Sequence, residues 1–237
     1  MASVSIAVRD LTVAYGDTTA LERVSFQIDS GQMVGVLGPN GAGKSTLFEV
    51  LAGLQPFACG EVLIHGQPAS GKSGALAYVP QKERINWRVP LSVIQVVMQG
   101  RIRGHRWLRR LRPADIEIAE QALRQAGLWS HRGEPMVSLS RGQQQRVFLA
   151  RSLAQGADIL LLDETFSGVD IRAKESLMEI LHTLRDQGRT ILLASHAVDQ
   201  VEKNCDCCLC LNRGVVGFGR TRDLVESGVI RNLVGTV

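Results

Sequence analysis

Nine consecutive residues, Gly38-Pro39-Asn40-Gly41-Ala42-Gly43-Lys44-Ser45-Thr46, constrain this chain more than any other segment. They fit the phosphate-loop pattern G-x-x-x-x-G-K-[ST], and the residue types are those that phosphate chemistry needs. The glycines let backbone N–H groups turn inward around phosphate oxygens. Lys44 offers a point charge to β- and γ-phosphates, and Ser45 offers a hydroxyl to Mg²⁺. The flanks agree. Met33-Val34-Gly35-Val36-Leu37 reads as a buried strand, and Thr46 to Ala52 as a helix closed by Gly53. The positive end of that helix would face the same phosphates. A strand, a glycine loop and a helix in this order call for an α/β sheet domain, which a chance glycine-rich turn does not.

The chain has 237 residues, enough for one large domain or two small ones. Hydrophobic residues make up 45% and charged residues 21%, which argues for a globular protein and against disorder. The net charge of +4 and pI near 9.0 suit nucleotide, phospholipid headgroups or nucleic acid without choosing among them. No stretch approaches the roughly 18 to 20 apolar residues that cross a bilayer. Arg9 and Asp10 break the N-terminal pattern, so no secretory signal is visible. A cytosolic location follows as the expectation, with any membrane role exercised through a partner.

Five cysteines fall as Cys59 alone and then Cys205, Cys207, Cys208 and Cys210. In a reducing cytosol they are expected as free thiols. Cys207 to Leu211 reads as a buried strand, on which Cys208 and Cys210 face opposite to Cys205 and Cys207. One short strand cannot wrap four thiolates around zinc, so core packing is the expectation.

Residues 5–13 and 24–28 alternate like strands with one exposed face, and 60–64 and 75–80 read as further strands. From Leu91 to about Leu128 the pattern turns helical, with Asp115 to Ala126 amphipathic behind Pro113. The β/α alternation then returns. Asp158–Asp163 and Thr190–Ser195 read as fully buried strands, and Ile171–Asp186 as a helix stopped by Gly188. This predicts an α/β core with helices on both sheet faces, interrupted by a helical stretch near 90–150. Arg101, Arg103, Arg106, Arg109, Arg110 and Arg112 crowd together with Trp107 among them. A solvated basic face, a membrane or protein contact, and nucleic-acid binding all remain open there.

A second anchor is Ile159-Leu160-Leu161-Leu162-Asp163-Glu164. The apolar run places Asp163 at a strand's C-terminal end, where open α/β sheets bind ligands. Asp163 can hold Mg²⁺ beside Ser45, and Glu164 can orient or deprotonate an attacking water. Between the anchors, Leu139-Ser140-Arg141-Gly142-Gln143-Gln144-Gln145-Arg146 offers hydroxyl and N–H donors at a helix start, a further anion site.

With these motifs in order, the chain resembles an ATP-binding cassette (ABC) ATPase over essentially its whole length. The phosphate loop, Gln81, the Leu139–Gln143 signature, Asp163-Glu164, the loop Ser167-Gly168-Val169-Asp170 and His196 occur in that family's sequence. The resemblance implies a single domain over 1–237. Its P-loop core, with a mixed or parallel sheet, would take 1–82 and 151–237 and include an N-terminal antiparallel β subdomain. The inserted helical subdomain would be 83–150.

The family's roles carry over residue by residue. ATP would lie on Gly38, Pro39, Asn40, Gly41, Ala42, Gly43, Lys44, Ser45 and Thr46, with Tyr15 stacked on adenine, unless that ring is a core or edge-strand tyrosine. Mg²⁺ would be held by Ser45, Gln81 and Asp163. Glu164, His196, Gln81 and Lys44 would be catalytic, with His196 on the γ-phosphate. Ser140, Gly142 and Gln143 would bind the nucleotide of a second copy in a head-to-tail dimer, with Asp170 at the seam. Further partners implied are a multi-span permease and an extracellular substrate-binding protein, with no nucleic acid, at the cytoplasmic face of the cell membrane.

Residues 86–93 and 96–101, the run Gln143–Arg151 and Phe166–Asp170 are similar to the manganese/zinc/iron branch of the family. Two positions depart from it: Arg141 where the branch carries glycine, and Thr165 where it carries proline. They leave open a divergent member of the anchored-repeat type associated with surface proteins, or a transporter for another cargo. A soluble ABC ATPase acting on nucleic acid or the ribosome is the rival class. The span from Gln81 to Leu139 leaves no room for a long coiled coil, and one cassette is present where translation-type relatives carry two. A phosphate-loop GTPase would need an Asn-Lys-x-Asp motif, which is absent.

Overall fold

The computed structural model describes residues 3–69, 74–81, 90–102 and 112–234. Strands β1 (Val4–Tyr15), β2 (Thr18–Asp29), β4 (Cys59–Ile64) and β5 (Gln67–Pro68) form an antiparallel sheet in the order β2-β1-β4-β5. A second sheet contains β3 (Met33–Leu37), β6 (Leu76–Val79), β7 (Ile159–Asp163), β8 (Thr190–Ser195), β9 (Cys207–Asn212) and β10 (Gly214–Arg220). Its order is β10-β9-β3-β8-β7-β6, parallel from β9 to β6, with β10 antiparallel at the edge. The helices are α1 (Lys44–Leu51), α2 (Val93–Met98), α3 (Pro113–Gln125), α4 (Arg141–Gln155), α5 (Ile171–Asp186), α6 (Val198–Asn204), α7 (Thr221–Glu226) and α8 (Val229–Val234).

Every residue of β3, β7 and β8 is buried, as continuous apolar runs in a parallel sheet require. The period-two alternation deals their side chains to two cores. Val34, Val36, Ile159, Leu161, Leu192 and Ala194 pack with α1 and the antiparallel sheet. Met33, Leu37, Leu160, Leu162, Ile191 and Leu193 pack on the opposite face with α2 to α5. The shared sheet therefore ties the β layer to the helical layer, and its C-terminal strand ends open between them. Helix starts follow their caps. Pro113 opens α3, Asp115 accepts from Arg112 N at 3.0 Å, and Asp170 accepts from Ala173 N at 2.9 Å to start α5.

The cysteines depart from the expected facing. Cys205 ends α6 and is not part of the strand, so alternation does not bind it. It is buried with Cys208 and Cys210 in the helical-side core, while Cys207 faces the other core. Cys208 and Cys210 sulfurs lie 3.9 Å apart. Burial pushes the Cys205 thiol up to about 12, and Cys208 is also raised, by Cys210 and by burial. Such thiols are inert packing groups. Among the described residues no cluster of His, Cys, Asp or Glu is placed to hold a metal ion.

Of the basic run, Arg101 gives its charge to a buried contact: Nε donates to Asp115 Oδ1 at 3.1 Å and Nη1 to Ala154 O at 2.8 Å. Arg103, Arg106, Trp107, Arg109 and Arg110 lie outside the described residues, as do Asn86 to Val89. No described helix is long and apolar enough to cross a membrane.

Candidate active site

β3 lies between β8 and β9, so it delivers the loop 38–43 to the C-terminal edge of the parallel strands. Gly43, at the N-cap of α1, has φ 96°. A Cβ there would also strike the Leu21 side chain and come within 2.8 Å of the Ala20 carbonyl oxygen, so only glycine fits. The Lys44 side chain is nearly sealed, and Nζ donates to Gly38 O at 2.7 Å and Pro39 O at 3.1 Å. Burial lowers its pKa, opposed by the Glu164 and Asp163 carboxylates.

Asp163 ends β7 and is 2% exposed. Tyr78 Oη donates to its Oδ2 at 3.1 Å, while Oδ1 has no partner among the described residues. Burial raises the pKa of this carboxyl, and the nearby Ser45 and Tyr78 hydroxyls oppose the rise. A buried, unsatisfied carboxylate oxygen beside the Ser45 hydroxyl is a hard-oxygen donor set suited to Mg²⁺. Glu164 follows with φ 46°, an uncommon conformation for a side-chain-bearing residue. Its N–H donates to Ala194 O at 3.1 Å, and its carbonyl accepts from Ser167 N at 3.0 Å. Gln81 Nε2 donates to Glu164 Oε2 at 2.6 Å. The other oxygen, Oε1, lies 3.9 Å from Lys44 Nζ and 4.0 Å from His196 Nδ1. Glu164, Ser167, Ser195, His196 and Gln200 line an open cleft of about 120 Å³.

The structure thus brings Lys44, Gln81, Glu164 and His196 together, with Ser45 and Asp163 adjoining. The remaining candidates gather elsewhere. Ser140 caps α4, and its Oγ accepts from Gln143 N at 3.3 Å. A Cβ on Gly142 would lie 2.8 Å from Ala173 Cβ, so glycine lets the starts of α4 and α5 touch. Asp170 is the N-cap of α5. Arg141 is exposed, and its guanidinium lies over Gly168 in the Ser167–Asp170 loop of the same chain. Tyr15, at the end of β1, is 46% exposed, with its ring available rather than in the core.

Two features escaped the sequence reading. Tyr78 pairs in register with Leu161, two residues before Asp163, and this shared strand face was the available signal. Gln145 Oε1 and Thr165 Oγ1 are buried without partners among the described residues and line one small cavity with Val79, Leu149, Leu162 and Leu177. Only the threonine in place of the branch's proline hinted at it.

A phosphate loop at the head of a parallel sheet, with an acidic pair on a nearby strand, makes this a P-loop nucleotide-binding protein. Residues 21–167 match the family model described as ABC transporter. The manganese transport system ATP-binding protein MntB of Bacillus subtilis (strain 168) is 39% identical over 91% of this chain and 86% of its own length. The zinc transport system ATP-binding protein TroB of Treponema pallidum (strain Nichols) is 38% identical over 91% and 81%. Among solved structures, cbiO1 from Clostridium perfringens, part of the ABC transporter complex cbiONQ, has a TM-score of 0.82 at 27% identity, covering 99% of this chain and 96% of that one. The ADP conformation of MJ1267, an ATP-binding cassette of an ABC transporter, has a TM-score of 0.86 at 20% identity over 99% of both chains and shares the fold. The chain belongs to the ABC transporter family, as an ATP-binding component that hydrolyses ATP to drive transport.

Proposed function

We propose that this chain powers a divalent-metal transporter of the manganese, zinc or iron type. It would work as a head-to-tail pair at the cytoplasmic face of the membrane, bound to a multi-span permease, with an extracellular substrate-binding protein as a further partner. The metal-transport relatives support the cargo class. The observation that carries the chemistry is the convergence of Gln81, Lys44 and His196 on one carboxylate, Glu164.

Backbone N–H groups of the loop 38–46 would cradle the phosphates, and Lys44 would exchange its contacts with Gly38 and Pro39 carbonyls for phosphate oxygens. Ser45 and Asp163, with Gln81 beside them, would hold Mg²⁺, which would supply positive charge against the phosphates. Glu164 would orient a water and take its proton as the water oxygen bonds to the γ-phosphorus. The bond from that phosphorus to the β–γ bridging oxygen breaks, and ADP leaves. Gln81 holds one Glu164 oxygen and leaves the other toward Lys44 and His196. Ser140, Gly142 and Gln143 of a second copy would close the site, and Tyr15 would cover the adenine.

Lys44→Ala is the direct test. It should weaken ATP binding and reduce turnover by at least about 100-fold, since phosphoryl transfer leans on such electrostatic stabilisation. Wild-type turnover in the variant would remove Lys44 from the mechanism, and failure to co-purify with a polytopic membrane protein would remove the transport assignment.

A further inference from the structure

We propose that His131 is a positioning residue that holds the Ser140 loop ready for the second copy's nucleotide, acting through Gln143. The inference rests on the ATPase reading above. Ser140 N–H donates to Gln143 Oε1 at 2.8 Å. That bond fixes the Gln143 amide, because only its oxygen accepts. Gln143 Nε2 is thereby turned toward His131 Nε2, at 3.2 Å. An amide nitrogen only donates, so His131 Nε2 accepts and the ring proton sits on Nδ1. Nδ1 lies 2.8 Å from Glu134 Oε1, which accepts that proton. The tautomer is determined from both ends.

The groups facing the ring are Glu134 from its own turn and Gln143 from α4. Glu134 also accepts from Ser138 Oγ at 3.3 Å. The neighbouring cations point elsewhere: Arg132 donates to Trp129 O at 3.2 Å, and both Arg132 and Arg124 lie over the Trp129 ring. His131 is partly open to solvent, at 31% of its side chain, so protons reach it.

A proton on Nε2 would set donor against donor. Gln143 could answer only by turning its amide over, which would point an NH₂ at Ser140 N–H and open the cap of α4. The neutral ring therefore keeps Ser140 in place, and the charged ring releases it. Ser140 belongs to the surface offered to the other copy, so the consequence falls on ATP-driven pairing rather than on nucleotide held by the phosphate loop.

Three measurements on the full chain test this. Nitrogen NMR of the imidazole should show the proton on Nδ1 in the wild type; an Nε2–H tautomer overturns the proposal whatever the protein's activity. In a Glu164→Gln background, sedimentation with MgATP should show His131→Ala weakening dimerisation about fivefold, the loss of one hydrogen bond. MgATP affinity of its monomer should stay within about twofold. His131→Gln, whose amide oxygen can accept from Gln143, should restore most of the association. In a Gln143→Ala background, which has no amide to donate to the ring, His131→Ala should cause no further loss of association. A His131→Ala effect that is absent in the parent, or undiminished in that background, overturns the inference. Absence of ATP-driven association in the parent itself would instead overturn the ATPase-dimer reading on which it rests.

Discussion

Gln81 and Glu164 stand 83 positions apart and are joined by one hydrogen bond of 2.6 Å. The sheet explains the meeting. Val79 of β6 is in register with Leu162 of β7, and each of the two residues lies two positions beyond its strand partner. Gln81 therefore reports directly on the orientation of the carboxylate that would activate water. Gln81→Ala should leave ATP affinity within about twofold and lower kcat about tenfold, a loss of positioning rather than of the base itself. Nucleotide titration beside steady-state hydrolysis checks this, and a change confined to KM would contradict it.

On the proposed function, Asp163 would trade stability for ligand binding. Its carboxyl is buried with one oxygen unpartnered, and burial holds its pKa above the ordinary 3.8. The folded protein thus binds this proton more tightly than the unfolded chain. The contribution of this group to stability is full at acid pH and is lost as pH rises through the folded pKa. The proposed Mg²⁺ binding would need the carboxylate and would run the opposite way. Asp163→Asn should raise the melting temperature of the ligand-free protein by about 2–4 °C while abolishing the further rise that MgATP gives the wild type. Scanning calorimetry with and without MgATP reads both effects. A lower melting temperature for the ligand-free variant would contradict the account.

Arg141 is exposed, and its guanidinium lies over Gly168 of its own chain rather than toward the phosphate loop's candidate site. A cation at the first position of α4 also opposes the helix dipole. Arg141→Gly should therefore leave stability within about 0.5 kcal/mol, because a lost dipole conflict offsets glycine's poorer helix propensity. ATP-driven dimerisation should be unchanged or improved. A tenfold fall in hydrolysis, about 1.4 kcal/mol, would return Arg141 to the nucleotide.

Legibility followed the strength of local signals. α5 and β8 begin and end where their sequences say, because Asp170 caps the helix and Gly188 stops it, while β8 carries an apolar run from Ile191 to Ala194 and is buried throughout. β10 was not foreseen. It carries Gly214, Gly217 and Gly219, is half exposed, and owes its form to pairing with β9. α6, α7 and α8 span six or seven residues, too few for periodicity to show. In the site, the loop residues and Asp163 were legible from chemistry, whereas Gln81 and His196 came only through the family resemblance. His131 was invisible because its meaning lies in the Gln143 amide it faces, a contact between a turn and a helix start.

The most direct test of the central claim is Glu164→Gln. The substitution keeps shape and hydrogen-bonding capacity but removes the base, so hydrolysis should fall by about 10²–10⁴ while ATP still binds. The closed pair should then persist. Size-exclusion chromatography with MgATP should show a dimer for the variant and chiefly monomer for the isolated wild type, together with loss of phosphate release. A variant that releases phosphate at the wild-type rate would contradict the account and place the base on another residue.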